Sequence, residues 1–193
     1  MRHHRADVVE RALAVLDAYG LADLSMRRLG AELGVQPSAL YHHFANKQLL
    51  LAAVADEVLA RGPRPPAEGT WDERVAAVCS GLREAVLAYR DGAELVATVH
   101  AFGLGARAPY DDLVAALRHG GLDDGLVPVA ARTLVHFVLG HVSDEQTHLQ
   151  AGSAGAIGDG PRETSDFTLG LGIVVDGIRV RAGELSPGPR PRR

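Results

Sequence analysis

The tightest constraint on this chain lies between Ser25 and Lys47. Ser25 is placed as an N-cap, because its hydroxyl can accept from a backbone N–H left unpaired in a first helical turn. Met26, Leu29 and Leu33 then share one helical face, while Arg27, Arg28 and Glu32 point away. Gly34 stops this helix after barely two turns. Gln36–Pro37 restarts helix almost at once, since proline suits a first-turn position. Two short helices joined across a glycine form a helix-turn-helix. In the second, read as QPSALYHHF, Leu40 and Phe44 are four apart and face inward. Gln36, Ser38, Ala39, Tyr41, His42 and His43 are left outside.

The rest of the chain organises around that unit. Residues 5–19 carry Val8, Val9, Ala12, Leu13, Val15 and Leu16 at helical spacing. Gly20 is expected as a left-handed cap. Asn46 caps a fourth helix that runs to about Arg61. The stretch GPRPPAEGT, residues 62–70, holds three prolines and two glycines and reads as a linker. Thr70 then caps a long helix whose stripe is Trp71, Val75, Val78, Leu82, Val86 and Tyr89, with Asp72 and Glu73 suited to its dipole. Shorter helices are expected near residues 93–102 and 109–118. A long one runs from about 125–128 to 149, a Gly/Ala-rich loop covers 151–161, and a last helix spans about 164–182. No stretch shows strand alternation. The expected fold is all-α: residues 1–61 form an N-terminal domain of three to four helices with the helix-turn-helix, and 71–184 form a larger C-terminal helical domain. Residues 185–193, LSPGPRPRR, read as a disordered tail.

Composition narrows the function classes. The hydrophobic fraction of 47% and charged fraction of 23% are ordinary for a soluble globular chain. Cys79 is the single cysteine, so no internal disulfide is possible. The first residues hold no uninterrupted apolar run, and no 18-residue stretch is free of charge, so neither a secretory signal nor a membrane span is expected. A cytoplasmic location follows as the expectation. The net charge of −4 resides in residues 64–193, whereas residues 1–63 balance seven cationic against seven acidic side chains. The front also holds His3, His4, His42 and His43, an asymmetry that points toward an anionic partner. No G-x-S-x-G, H-E-x-x-H or phosphate-binding glycine loop is present, so no enzyme activity, catalytic residue or cofactor is expected.

The exposed residues of the helix-turn-helix suit double-stranded DNA. A short helix can enter a major groove if its outer residues reach phosphates and base edges. Gln can read adenine, Ala can touch a thymine methyl, and Tyr, His and Lys suit phosphate. The candidate DNA-binding set is Arg27, Arg28, Gln36, Pro37, Ser38, Ala39, Tyr41, His42, His43 and Lys47. The His42–His43 pair does not make a metal site, because adjacent helical residues diverge by about 100°.

From Gly20 to Val54, with its capped helix, L-G-V, L-Y-x-H-F and N-K-x-x-L-L, the sequence resembles the tetracycline-repressor (TetR) family of transcriptional regulators. The resemblance implies that Gln36–His43 is the recognition helix, and that a homodimer reads a palindromic operator and responds to a small-molecule inducer. It continues past the linker: Trp71, the run Tyr89-Arg-Asp-Gly-Ala93 and the run His136-Phe-Val-Leu-Gly140 look like the C-terminal domain of the tetracycline repressors, which binds ligand and dimerises. Departures bear on the ligand. Where those repressors hold a drug–magnesium complex through asparagine, glutamine and histidine, this chain has Val78, Ala116 and Val96, and Gly62–Pro63 stands at a second histidine position. Asp144 alone keeps an acidic group where glutamate is expected. A tetracycline–Mg²⁺ ligand is therefore not expected.

Candidate ligand-binding residues are Leu82, Val86, Val96, Val99, His100, Leu104, Leu113, Leu117, His136, Phe137, Gly140 and Asp144, with His100 and His136 as hydrogen-bonding groups in an otherwise apolar cavity. His141, Asp144 and His148 can share one helix face, which keeps a metal-responsive repressor as an alternative, although no metal site is assigned. Leu139, Val142, Leu171, Val174, Gly177 and Ile178 are the candidate dimer interface, since the last helix is apolar nearly all round and the resemblance implies a bundle with a second copy. The competing function class is an activator, or a sensor acting through protein partners.

Overall fold

A computed structural model describes residues 3–65, 68–156 and 166–183. Residues 66–67 of the expected linker, the later part of the expected 151–161 loop, positions 164–165 of the last helix and the expected tail lie outside the described residues. Among the described residues the chain is all helix: α1 (Arg5–Tyr19), α2 (Met26–Leu33), α3 (Pro37–Leu40), α4 (Lys47–Ala60), α5 (Trp71–Leu87), α6 (Gly92–Ala101), α7 (Ala108–His119), α8 (Val127–Ser153) and α9 (Phe167–Ala182).

The caps sit where the sequence places them. The Ser25 hydroxyl accepts the Arg28 N–H at 3.2 Å, and the Asn46 side chain accepts the Leu49 N–H at 2.9 Å. At the front of α5 the Thr70 N–H donates to Glu73 Oε2 at 2.8 Å. Gly34 closes α2 in the left-handed conformation, at φ +66° and ψ +29°. Gly20 has the expected positive φ of +84°, but its ψ of 175° makes it an extended kink and not a left-handed helical cap. The expected loop starts later than composition suggests, because α8 continues through Ser153.

In the head, α1, α2 and α4 enclose Val8, Leu16, Leu24, Leu29, Leu50 and Val54, all fully buried. α3 is pinned to them by Leu40 and Phe44, and the Arg5 guanidinium lies 4.6 Å from the Phe44 ring centroid. Gly30 is buried within α2 for a steric reason: a Cβ there would come within 2.9 Å of the Val35 carbonyl oxygen.

The body packs α5 against α7 and α8, with α6 crossing from α8 to α4. The segment 62–65 carries no helix or strand, yet it is not a free tether. A Cβ on Gly62 would sit 2.6 Å from the Ala85 Cβ of α5, and one on Gly81 would sit 3.3 Å from the Pro63 carbonyl oxygen. Asp56 of α4 accepts the Ala106 N–H at 2.7 Å from the α6–α7 connection. The buried apolar side chains of head and body form one contiguous cluster.

Two expectations test this packing. The Thr70 hydroxyl and nearby backbone N–H groups, with the Arg179 guanidinium, hold the Asp72 carboxyl below the usual carboxylate range, against the opposing pull of partial burial. A depressed folded value stabilises the protein above the ordinary carboxylate range near pH 4, and that stability is lost as pH falls through the folded value. Asp72→Asn should therefore lower stability at neutral pH and flatten the acid limb of a melting-temperature profile. Cys79 is fully buried, and desolvation pushes its thiol up to about 12. It should stay unreactive toward a thiol reagent at pH 8 and titrate fully only in denaturant.

Candidate nucleic-acid interface and effector cavity

The α2–α3 unit presents a polar face on an apolar support. Leu40 and Phe44 anchor the segment from beneath, and Gln36, Ser38, Tyr41 and His42 are exposed above them, Tyr41 at 51%. Pro37, Ala39, His43 and Lys47 are half-buried at the edges. Helix proper ends at Leu40, and Tyr41–His43 continue as a turn, so the expected recognition helix Gln36–His43 is half helix and half turn. No Asp or Glu occurs between Glu32 and Asp56, so nothing acidic within this stretch opposes a phosphate backbone.

Of the two arginines expected on this face, Arg27 is exposed and Arg28 also makes contacts within the head. Arg28 is half-buried; its Nη1 donates to Asp23 at 2.9 Å and its guanidinium stacks 3.5 Å from the Tyr19 ring centroid. Those contacts hold the end of α1 against α2, which is structural work. Sequence reasoning also missed His3, whose Nε2 donates to the Leu33 carbonyl at 3.1 Å, beside the turn. Its separation of thirty positions from Leu33 leaves no local signal.

The expected ligand-binding residues do not gather around one enclosed space. Val86, Val96, Val99, Leu113 and Leu117 are packed core. Leu104 is exposed, and His100 is half-buried at the end of α6. His136, Gly140 and Asp144 lie on the exposed face of α8, so they do not line a cavity within the subunit; the 3.6-residue repeat places them opposite the buried Leu134, Val138 and Val142. Phe137 is half-buried and meets His141 and Phe167 at centroid distances of 5.8 and 5.7 Å. Leu82 does border a cavity, together with Leu59, Pro63, Pro65, Val78, Gly81, Ala85, Ala108, Pro109 and Asp112. At about 50 Å³ it is far below the several hundred Å³ that a drug-sized molecule occupies. Asp112 supplies its carboxylate, raised above the usual range by desolvation and by neighbouring Asp111.

Val78, Val96 and Ala116 are buried aliphatic side chains, which offer nothing to a magnesium–drug complex. Among the described residues, no three His, Cys, Asp or Glu side chains are arranged to hold a metal ion, the His141–Asp144–His148 set included.

The expected dimer residues require a correction. Leu139, Val142, Leu171 and Ile178 are buried inside the subunit and offer almost no surface to a second copy. Val174 is half-buried, and Gly177 is exposed with open space above it. The apolar surface left open lies on the opposite faces: Leu169 at 65%, Ile173 at 66% and Val180 on α9, and Val129 at 58% on α8. Val129, Thr133, His136, Gly140, Asp144 and Thr147 form one outward stripe of α8. α8 and α9 themselves pack together, since a Cβ on Gly170 would touch the Phe137 ring at 2.9 Å.

Comparison with known proteins adds to this geometry. The family described as bacterial regulatory proteins, tetR family, matches residues 8–54. The tetracyclin repressor-like C-terminal domain matches residues 63–163. Tetracycline repressor protein class D of Escherichia coli is 37% identical over 161 residues, covering 78% of this chain and 70% of that protein. Mycobacterium smegmatis BioQ superposes with a TM-score of 0.82 at 43% identity, covering 91% of this chain and 98% of that one. BioQ is also solved with its double-stranded DNA operator. Streptomyces coelicolor ActR, a TetR family protein solved with (S)-DNPA, has a TM-score of 0.79 at 31% identity, covering 94% of this chain and 99% of that one.

Proposed function

The chain belongs to the TetR family of bacterial regulatory proteins, and on that premise we propose that it is a cytoplasmic repressor that binds a palindromic operator as a homodimer and releases it when a small, largely apolar molecule binds. It acts by binding and not by catalysis. The observation that carries the reading is the exposed, acid-free surface of Gln36–Lys47 held rigidly over buried Leu40 and Phe44.

On DNA, Gln36, Ser38 and Ala39 are the base-edge candidates, and Arg27, Tyr41, His42, His43 and Lys47 the phosphate candidates. A two-fold dimer presents two such units about 34–36 Å apart, one turn of duplex. The open stripes of α8 and α9 are the surfaces that supply that dimer. Leu169, Ile173 and Val180 are apolar and exposed, and Gly140 and Gly177 leave room for close helix approach.

The effector enters between α4, α5 and α7. The cavity there holds only about 50 Å³ in this structure, so an effector binds a state in which Pro63, Pro109 and the facing α5 side chains have moved apart. Ligand free energy that favours the opened state is what separates the two arrangements of the heads. The relatives' own names attach tetracycline to one protein and (S)-DNPA to another. The aliphatic side chains at Val78, Val96 and Ala116 support an apolar organic effector over a magnesium complex.

The reading is tested by selecting bound sequences from random duplex DNA. A two-fold consensus is the expected result, and no enrichment would overturn it. On the selected DNA, Tyr41→Ala and Lys47→Ala should each weaken binding about tenfold at fixed salt, in line with loss of one hydrogen bond to a charged group. Their melting temperatures should stay at the wild-type value. Ile173→Asp should give a folded monomer by light scattering; a surviving dimer would place the interface elsewhere.

A further inference from the structure

One carboxylate joins the DNA-binding head to the body. Asp91 precedes α6 with a φ of +54°, in the left-handed region. Its Oδ2 accepts the Leu21 backbone N–H at 2.8 Å, in the turn between α1 and α2. Its Oδ1 accepts from Gln150 Nε2 of α8 at 2.6 Å. Beside it, the Arg90 N–H donates to Asp17 Oδ1 of α1 at 3.4 Å. Gly20 is a glycine for the same contact, since a Cβ there would lie 2.5 Å from Asp91 Oδ2. The α1–α2 turn therefore rests directly on the carboxylate, and α8 holds the carboxylate's other oxygen.

We propose that Asp91 is a positioning residue for operator binding: it sets the angle at which the helix-turn-helix leaves the body, and Gln150 ties that angle to α8. This rests on the reading of the chain as a dimeric operator-binding regulator. The chemistry is directional. An ionised carboxylate only accepts, so it can hold two donors from opposite sides, one from the head and one from α8. Its backbone is fixed by α6 behind it, which leaves the Leu21 N–H to follow the carboxylate. In a two-fold dimer an angular error at this junction is doubled at the two recognition units. Its signature is then the spacing between half-sites and not the strength of contact with either one.

The test compares wild type, Gln150→Glu and the double variant Asp91→Asn/Gln150→Glu on the selected operator and on the same DNA with one base pair inserted or removed between half-sites. Gln150→Glu sets two carboxylates face to face and removes the donor. The double variant restores a donor, with Asn Nδ2 now facing the glutamate and Asn Oδ1 still open to Leu21. Wild type should discriminate among the three spacings. Gln150→Glu should lose about tenfold of that discrimination, and the double variant should regain it. Affinity for DNA carrying a single half-site should not change. Equal weakening at all spacings, tracking a lowered melting temperature, would reduce Asp91 to a structural contact and overturn the proposal, as would an unchanged spacing profile. Should Gln150→Glu fail to fold, Gln150→Leu removes the donor without adding charge and is read the same way. Failure to select any two-half-site DNA would overturn the underlying reading, and the proposal with it.

Discussion

The body of this protein depends on one buried amide. Gln146 of α8 accepts the Ala93 N–H through Oε1 at 3.0 Å, and its Nε2 donates to the carbonyls of Val86 and Tyr89 at 3.1 and 2.9 Å. Those three backbone groups belong to the corner where the chain leaves α5 and enters α6. The corner is tight: a Cβ on Gly92 would come within 2.2 Å of the Val86 carbonyl oxygen. The two carbonyls also accept the Tyr89 and Gly92 N–H groups, at 3.5 and 3.0 Å, so Gln146 adds second bonds there and serves the Ala93 N–H, and a buried N–H left unpartnered costs about 1–3 kcal/mol. Through these bonds α8 fixes the direction of α6, and α6 in turn supports α4 and the head.

The elements were legible because local signals decide them. Ser25, Gly34, Asn46 and Thr70 mark helix boundaries through hydrogen bonds that span three or four residues, Pro37 marks one through its fixed φ, and the structure keeps each boundary. The anchoring pair Leu40 and Phe44 followed from helical spacing alone. The outward faces of α8 and α9 were not legible, because both helices carry apolar side chains around most of their circumference. Periodicity then gives no phase, and Leu171 and Leu169 look alike although one is buried and the other open. The contacts of Arg28 within the head are hidden for a different reason. Its partners Tyr19 and Asp23 lie across a turn, and no pattern within α2 shows that they claim it. Gly30, His3 and Asp91 were silent because each acts through a contact between elements that only packing brings together.

Most of the apolar stripe that marks a candidate effector site in the sequence is packed core: Val86, Val96, Val99, Leu113 and Leu117 are buried. Closed cavities have this character. Side chains that line an opened state pack against one another in the closed one, so their burial alone does not distinguish the two uses. What the closed state does show is where space remains. Besides larger clefts between α1 and α4 and between α4 and α5, a small space of about 50 Å³ remains beside Pro63, Pro65 and Pro109, with the Asp112 carboxyl held above its usual range next to them.

The kink at Gly20 bears on how such a protein can be recombined. Head and body read as separable units on either side of residues 62–70, yet the head's first turn has the shape of a carboxylate that the body supplies seventy positions later. A chimera that joins this head to an unrelated body carries along an unpaired Leu21 N–H and a glycine whose conformation has lost its reason. A body grafted under another head meets a Cβ where Asp91 needs none. The natural unit of exchange is therefore the head together with the 90–92 corner, and the boundary that works in a recombinant protein is not the one that the proline-rich stretch advertises.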